Sequence, residues 1–268
     1  MSKKDNSQIP GQMTIEMCIN RQNYVVQAND LIGGRQALGL NSAKLIRTAV
    51  MQIKPDDTDI KPYLITIKQL SDLLDVPVSN LYRDANTITD DILQNPIFIF
   101  SREGRGTRWV KIPWVEYCQY DSDVGITIQL NQRLKPFLIA LRDHYTQYPL
   151  ENILAMKSVY AIRIFEMLQA KIMFHIIPRE GTHIKLTLEE IIEGCELSET
   201  YRKISNLKNR VIDVAMNEIK RVTFYDVSYS SIKNGRRIEA FDFYMNMKYH
   251  SNANKNVTDI KDARMDNA

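Results

Sequence analysis

A chain of 268 residues, 44% hydrophobic and 25% charged, has the composition of a folded globular protein and is long enough for two domains with separate cores. Its 35 Lys and Arg against 32 Asp and Glu leave a net charge of +3, too small an excess to announce a nucleic-acid partner, so the placement of charge must decide. No apolar run reaches the roughly 18 residues of a membrane span, and Met1-Ser-Lys-Lys-Asp lacks the apolar core of a signal peptide, so a cytoplasmic protein with no membrane partner is expected.

Residues 1–36 read as an N-terminal extension, partly disordered. A helix is expected over residues 38–53, where Ala37, Leu45, Ala49 and Ile53 fall near helical spacing. The strand-like Tyr63-Leu-Ile-Thr-Ile-Lys leads into the apolar-periodic Leu70-Ser-Asp-Leu-Leu. A turn at Val76-Pro-Val follows, then a helix over residues 79–93 with Ser79 as its N-cap. Ile97-Phe-Ile-Phe, a polar turn over 102–108 and Trp109-Val-Lys-Ile read as a β-hairpin. Leu134-Lys-Pro-Phe-Leu predicts a short closing helix, and the boundary falls near Tyr148 and Pro149.

The order then recurs, and such internal similarity is the strongest organising signal in the chain. A long helix is expected over residues 151–174, carrying Leu154, Val159, Ala161, Ile164, Phe165, Leu168 and Ile172. His183-Ile-Lys-Leu-Thr leads into Leu188-Glu-Glu-Ile-Ile-Glu, a break at Gly194-Cys-Glu-Leu, and a long helix over 198–220 with Ser198 as its N-cap. Thr223-Phe-Tyr-Asp-Val, the turn Lys233-Asn-Gly-Arg-Arg and Ile238-Glu-Ala-Phe-Asp-Phe-Tyr form the matching hairpin. Helix, strand, helix, helix and hairpin describe a winged helix, so the expected fold is α+β: two tandem winged-helix domains, a helix-turn-helix with a β wing, related as an internal repeat. They span residues 37–148 and 149–249, and a polar tail over 250–268 reads as disordered.

The two third helices differ on their outward faces. In the second, Ile204, Leu207, Val211 and Ala215 form the buried stripe and Arg202, Lys203, Asn206, Asn209 and Arg210 face outward, residue types that read guanine and adenine edges. Residues 199–220 carry five basic and three acidic side chains. In the first, Leu81, Ala85, Ile88 and Ile92 are the buried stripe, and Arg83, Asn86, Thr87 and Asp90 face out beside Asp84 and Asp91, an acidic face that repels phosphate. Base reading is therefore expected from the second domain, helped by Lys233, Arg236 and Arg237 in its turn. The first domain is expected to touch DNA through Arg102, Arg105 and Arg108, with Lys111 nearby. Trp109, Trp114, Phe224, Tyr225, Phe241 and Phe243 alternate in strands and read as core.

Lys157-Ser-Val-Tyr-Ala-Ile-Arg-Ile-Phe-Glu-Met-Leu resembles the signature helix that opens the second domain of the Rep_3 family of plasmid replication initiators. Leu81-Tyr-Arg, the Arg-rich hairpin up to Trp109, and Ile126-Thr-Ile-Gln-Leu-Asn before Leu134-Lys-Pro-Phe-Leu resemble that family's first winged helix; the likeness covers about residues 38–248. The resemblance implies a protein that binds direct repeats in double-stranded origin DNA, the iterons, as a monomer and helps open the adjacent duplex. It also implies repression of its own gene at an operator inverted repeat by a homodimer joined through the first domain, and host replication-initiation and helicase-loading proteins as partners. In the signature helix, Tyr160, Ile164, Phe165 and Leu168 are expected to pack, and Arg163 to bond with Glu166 locally.

Other function classes have less support. His144, His175, His183 and His250 are isolated, without the His-hydrophobic-His pair of a metal-dependent nicking enzyme, and Gly33-Gly34 is not followed by the Lys and Ser/Thr of a phosphate loop. Cys18, Cys118 and Cys195 show no metal-ligand spacing and read as reduced structural thiols. No catalysis, metal or cofactor is expected. A winged-helix transcriptional regulator without initiator activity is the alternative.

Overall fold

The computed structural model describes residues 24–54, 56–101, 108–172, 177–178 and 180–248. Two capping boxes start the equivalent second helices of the two repeats. At α3 (Ile67–Leu74), Thr66 Oγ1 accepts from the Gln69 amide and Gln69 Oε1 accepts from the Thr66 amide. At α8 (Leu188–Gly194), Thr187 and Glu190 make the same reciprocal pair. Each satisfies two of the donors that a helix start leaves free.

Around these starts the order repeats. In the first repeat α2 (Leu40–Met51) is followed by β2 (Pro62–Thr66), α3, α4 (Leu81–Gln94), β5 (Val115–Asp121) and β6 (Gly125–Leu130), with sheet order β2-β6-β5. In the second, α7 (Val159–Ala170) is followed by β8 (Thr182–Thr187), α8, a segmented third helix, β9 (Tyr225–Asn234) and β10 (Arg237–Met247), with order β8-β10-β9. Two tandem winged helices result. The sheet order corrects the hairpin expected as the first wing: the strand pair equivalent to β9–β10 is β5–β6. Its tip bears Asp121 and Asp123, and Gly125 has φ +145°, where an added Cβ would lie 2.0 Å from the Ile65 carbonyl oxygen. The Arg-rich pair β3 (Ile97–Ser101) and β4 (Arg108–Ile112) is a separate two-stranded ribbon inserted before the wing.

Several expected helices are shorter or broken. The one expected over 151–174 divides into α6 (Leu150–Ala155) and α7, and Glu218 Oε2 accepts from the Lys157 and Ser158 amides at the break, at 2.7 and 3.2 Å. Ser79 lies in a 3₁₀ turn rather than at the start of α4, whose N-cap is Asn80, and neither Asn80 nor Ser198 makes a side-chain cap bond. The short closing helix is α5 (Lys135–Leu138), after a 3₁₀ turn. Residues 24–36, assigned by sequence to an extension, are ordered: β1 (Tyr24–Ala28) pairs antiparallel with β7 (Tyr145–Pro149), and α1 (Asn29–Gly33) follows. The tail expected at 250–268 lies outside the described residues.

One contiguous apolar core runs through both repeats, and a buried polar cluster crosses it. Glu166 on α7 is 0% exposed and Arg47 on α2, the equivalent helix of the first repeat, 1%. Arg47 Nε and Nη2 each donate to Glu166 at 3.0 Å, Arg163 Nη1 donates at 2.8 Å, and Gln27 Nε2 and the Tyr148 hydroxyl also donate to the carboxylate. Arg163 additionally donates to the carbonyls of Ile32, Gly34 and Gly194 at 2.6, 2.9 and 3.1 Å. The bond expected between Arg163 and Glu166 is therefore present, and β1, α1, α2, β7, α7 and α8 all meet at it.

Burial alone would raise the Glu166 pKa, but Arg47 and Arg163 outweigh it and hold the carboxyl at about 2, below the ordinary 4.5. Because the folded value is the depressed one, the contribution of this group is complete above pH 4.5 and is lost as pH falls towards about 2. Over that window urea unfolding should lose about 3 kcal/mol from this group. Glu166→Gln should remove that acid component and, by stranding two buried guanidinium groups, destabilise the chain by about 3–5 kcal/mol at neutral pH in the same measurement.

Candidate nucleic-acid interface

The third helix of the second repeat is not the continuous rod expected over 198–220. α9 (Glu199–Arg202) stops at Lys203, whose φ of −65° and ψ of 125° are extended. α10 (Ile204–Leu207), a π-helical turn (Lys208–Ile212) and α11 (Asp213–Val222) follow without a further gap. Asn206 spans the break, its Nδ2 donating to the Thr200 carbonyl at 2.9 Å. The π turn fits one more residue into a turn than an α-helix does, presenting Asn209 and Arg210 on a widened surface. Tyr229 on β9 braces it: its hydroxyl donates to Asp213 Oδ1 at 2.7 Å, and Lys208 Nζ lies 5.7 Å from its ring centroid.

The predicted site residues divide by position. Lys203, Asn209 and Arg210 are exposed on or beside this helix. Arg202 is exposed but pairs with Glu199 at 3.1 Å, and Asn206 is half-buried by its bridging bond. Leu207, Val211 and Ala215 form the buried stripe as expected, with Ile204 half-buried beside them. Lys233, Arg236 and Arg237 are exposed at the tip of the β9–β10 wing. Gly235 there has φ +60°, as the first residue of a two-residue hairpin turn often requires. Half-buried Lys208 is a further basic residue of this surface, not expected from helical spacing, because the π turn shifts the angular phase that an ideal 100° step assumes.

The first repeat presents different chemistry. Leu81, Ala85, Ile88 and Ile92 are buried as predicted. The outward groups largely satisfy one another: Arg83 pairs with Asp84 at 3.2 Å, and Asn86 donates to Asp90. Asp91 is not an outward charge, since its Oδ2 accepts from the Gly39 amide at the start of α2 at 2.8 Å. Val78 in the preceding 3₁₀ turn and Tyr82 in the first turn of this helix stand exposed, and Tyr82 meets the Tyr120 ring edge-on. Arg108 and Lys111 are exposed on the inserted ribbon, while Arg102 and Arg105 lie outside the described residues. Of the aromatic residues expected in the core, Trp114, Phe241 and Phe243 are buried and Tyr225 is half-buried, but Trp109 and Phe224 are exposed.

Among the described residues no group of three His, Cys, Asp or Glu side chains could hold a metal ion, and no helix is long and apolar enough to cross a membrane. Cys118 and Cys195 are free, and burial pushes their thiols up to about 11 and about 12, away from reactive thiolate.

Two family profiles match the chain: the first winged helix (WH1) of initiator replication proteins over residues 24–169, and the second (WH2) over 187–245. Among solved structures, the Pi initiator protein in complex with iteron DNA aligns over 87% of this chain and 100% of its own, with a TM-score of 0.68 and 14% identity, a likeness of fold. Domains 2 and 3 of RctB align over 87% of this chain and 94% of theirs, with a TM-score of 0.45 and 11% identity.

The bridging bond separates two roles on one helix. Asn206→Ala should cost about 0.5–1.5 kcal/mol in urea unfolding by leaving the Thr200 carbonyl without its donor. Arg210→Ala should stay within about 0.5 kcal/mol of the parent, as a surface substitution away from caps and cores.

Proposed function

Since this chain belongs to the initiator replication protein family, we propose that it initiates plasmid replication by binding direct repeats in double-stranded origin DNA through its second winged helix. The observation that carries the reading is the exposed set Lys203, Asn209 and Arg210, followed in the same repeat by the basic wing tip Lys233, Arg236 and Arg237. A recognition helix of this kind lays its early turns in the major groove, where Arg suits guanine O6 and N7 and Asn suits adenine N6 and N7. The wing cations suit the flanking phosphates, which position the domain without reading sequence. The Pi protein, which shares the fold, is described in complex with iteron DNA, and that supports repeated sites as the ligand.

The monomer is the form that engages each repeat. The first repeat, with its self-paired α4 face, exposed Val78 and Tyr82 and acidic wing, suits a second copy better than phosphate, and a dimer joined there would repress the chain's own gene at an inverted repeat. The inserted ribbon adds backbone contacts through Arg108. Opening of the adjacent duplex and recruitment of host initiation and helicase-loading proteins follow. The chemistry is binding, not bond breaking, and a covalent tyrosyl-DNA product in a Mg²⁺-dependent nicking assay would refute that.

Fluorescence anisotropy with duplex repeats tests the reading. Arg210→Ala should weaken binding by about 1–3 kcal/mol and relax preference at one base pair. Lys233→Ala should weaken all sequences alike and reduce the salt slope by about 1. Equal affinity of parent and Arg210→Ala for the repeat would remove α10 and the π turn from the reading role. Failure of the gene and its flanking repeats to maintain a replicon-less marker, with operator binding intact, would leave only a transcriptional regulator.

A further inference from the structure

The β3–β4 ribbon belongs to neither winged-helix sheet, and its two faces differ. Register places Phe98 opposite Lys111 and Phe100 opposite Trp109, so these four side chains share one face. Ile97, Ile99 and Ile112 lie buried on the other. The ribbon is fixed at its base: the Arg35 amide donates to the Phe98 carbonyl at 2.8 Å and the Phe98 amide donates back at 3.1 Å. Gly34 permits this approach, since an added Cβ there would lie 2.7 Å from the Phe98 carbonyl oxygen.

Cations and rings alternate along the outer face. Arg35 Cζ lies 5.5 and 5.3 Å from the Phe98 and Phe100 centroids, and Lys111 Nζ lies 4.1 and 5.9 Å from those of Phe98 and Trp109. Arg35 is anchored to Glu193 at 3.5 Å, which leaves the Trp109 end as the open one. The Trp109 side chain is 60% exposed, and the charged residues of the described strands are Arg108 and Lys111, with no acid among them. Phosphate recognition explains the cations but not the indole: in a duplex the base faces are stacked away from an approaching ring, whereas an unpaired strand offers them.

We propose that the outer face of this ribbon binds single-stranded nucleic acid, Trp109 stacking on a base while Lys111 meets a flanking phosphate. The proposal rests on the origin-binding reading only for the source of the strand, the duplex opened beside the repeats. The second winged helix and the ribbon would then hold paired and unpaired DNA on different surfaces of one chain.

The chain has two tryptophans, and Trp114 is 1% exposed, so quenching of intrinsic fluorescence reports largely on Trp109. The full chain is titrated with a dye-labelled oligothymidylate of about 12 nucleotides, read by anisotropy in the parent and the variants and also by quenching in the parent, and separately with a duplex repeat read by anisotropy. Oligothymidylate should quench the parent, and Trp109→Ala should bind it about tenfold more weakly. Trp109→Phe should retain most of the affinity, and Trp109→Ala should bind the duplex within twofold of the parent. Absence of oligothymidylate binding by the parent, or undiminished binding by Trp109→Ala, would overturn the proposal. A parallel loss of duplex affinity in Trp109→Ala would also overturn it, making the Trp109 face a duplex contact as well. Loss of duplex binding by the parent, with Trp109-dependent oligothymidylate binding kept, would refute the origin-binding reading and leave this one standing.

Discussion

A carboxylate with no access to water must be matched by cations within hydrogen-bonding reach, and Glu166 sets that condition for the whole chain. It draws Arg47 from α2 and Arg163 from its own helix, and Arg163 in turn holds the carbonyls of Ile32, Gly34 and Gly194. The leading helices of the two repeats are thereby fixed to each other rather than left at the ends of a linker. Arg47 Nη1 makes no hydrogen bond there, but the guanidinium lies 5.6 Å from the Trp114 ring centroid, a cation–π contact. A buried ion cluster is a weak source of net stability but a strong constraint on arrangement, because any slip of α7 against α2 would strand a charge.

That constraint matters because the two repeats offer unlike surfaces. The second presents Lys203, Asn209 and Arg210 near a basic wing, and the first presents a self-paired α4 face and an acidic wing. The ribbon at β3–β4 is the basic part of the first repeat, and it hangs from Arg35, whose neighbour Gly34 is bonded to Arg163. A single polar cluster thus connects the second repeat with the ribbon.

Much of this was legible in the sequence. The repeat, the stripe Leu81, Ala85, Ile88 and Ile92, the packing of the signature helix and the basic tip of the second wing follow from apolar periodicity and turn residues, which local physics controls. The Thr66/Gln69 and Thr187/Glu190 boxes were written there too, as a Thr followed three residues later by Gln or Glu, and they mark the repeat more sharply than Ser79 and Ser198 do. What was hidden depends on pairing at a distance. Whether residues 97–112 or 115–130 form the first wing is decided by which strand bonds to β2, and both stretches have strand-like composition. The break at Lys203 and the π turn leave no Pro or Gly to announce them; they arise where the helix accommodates β9 and the Thr200 to Asn206 bond. The long reach of Arg163 was invisible because its partners are the backbone carbonyls of Ile32, Gly34 and Gly194, which carry no side-chain signature.

The central claim is that the two third helices, equivalent in fold, are unequal in use, the second reading bases and the first not. A tethered chemical nuclease tests this directly. An iron chelate would be attached at Asn209→Cys in the π turn, or at Asn86→Cys on the outward face of α4, in a chain whose Cys18 and Cys118 are replaced by Ser. Cleavage of a bound duplex repeat would then be mapped on both strands. The account predicts localised cleavage across the major groove of the repeat from position 209 and none within it from position 86; comparable cleavage inside the repeat from both positions would contradict it.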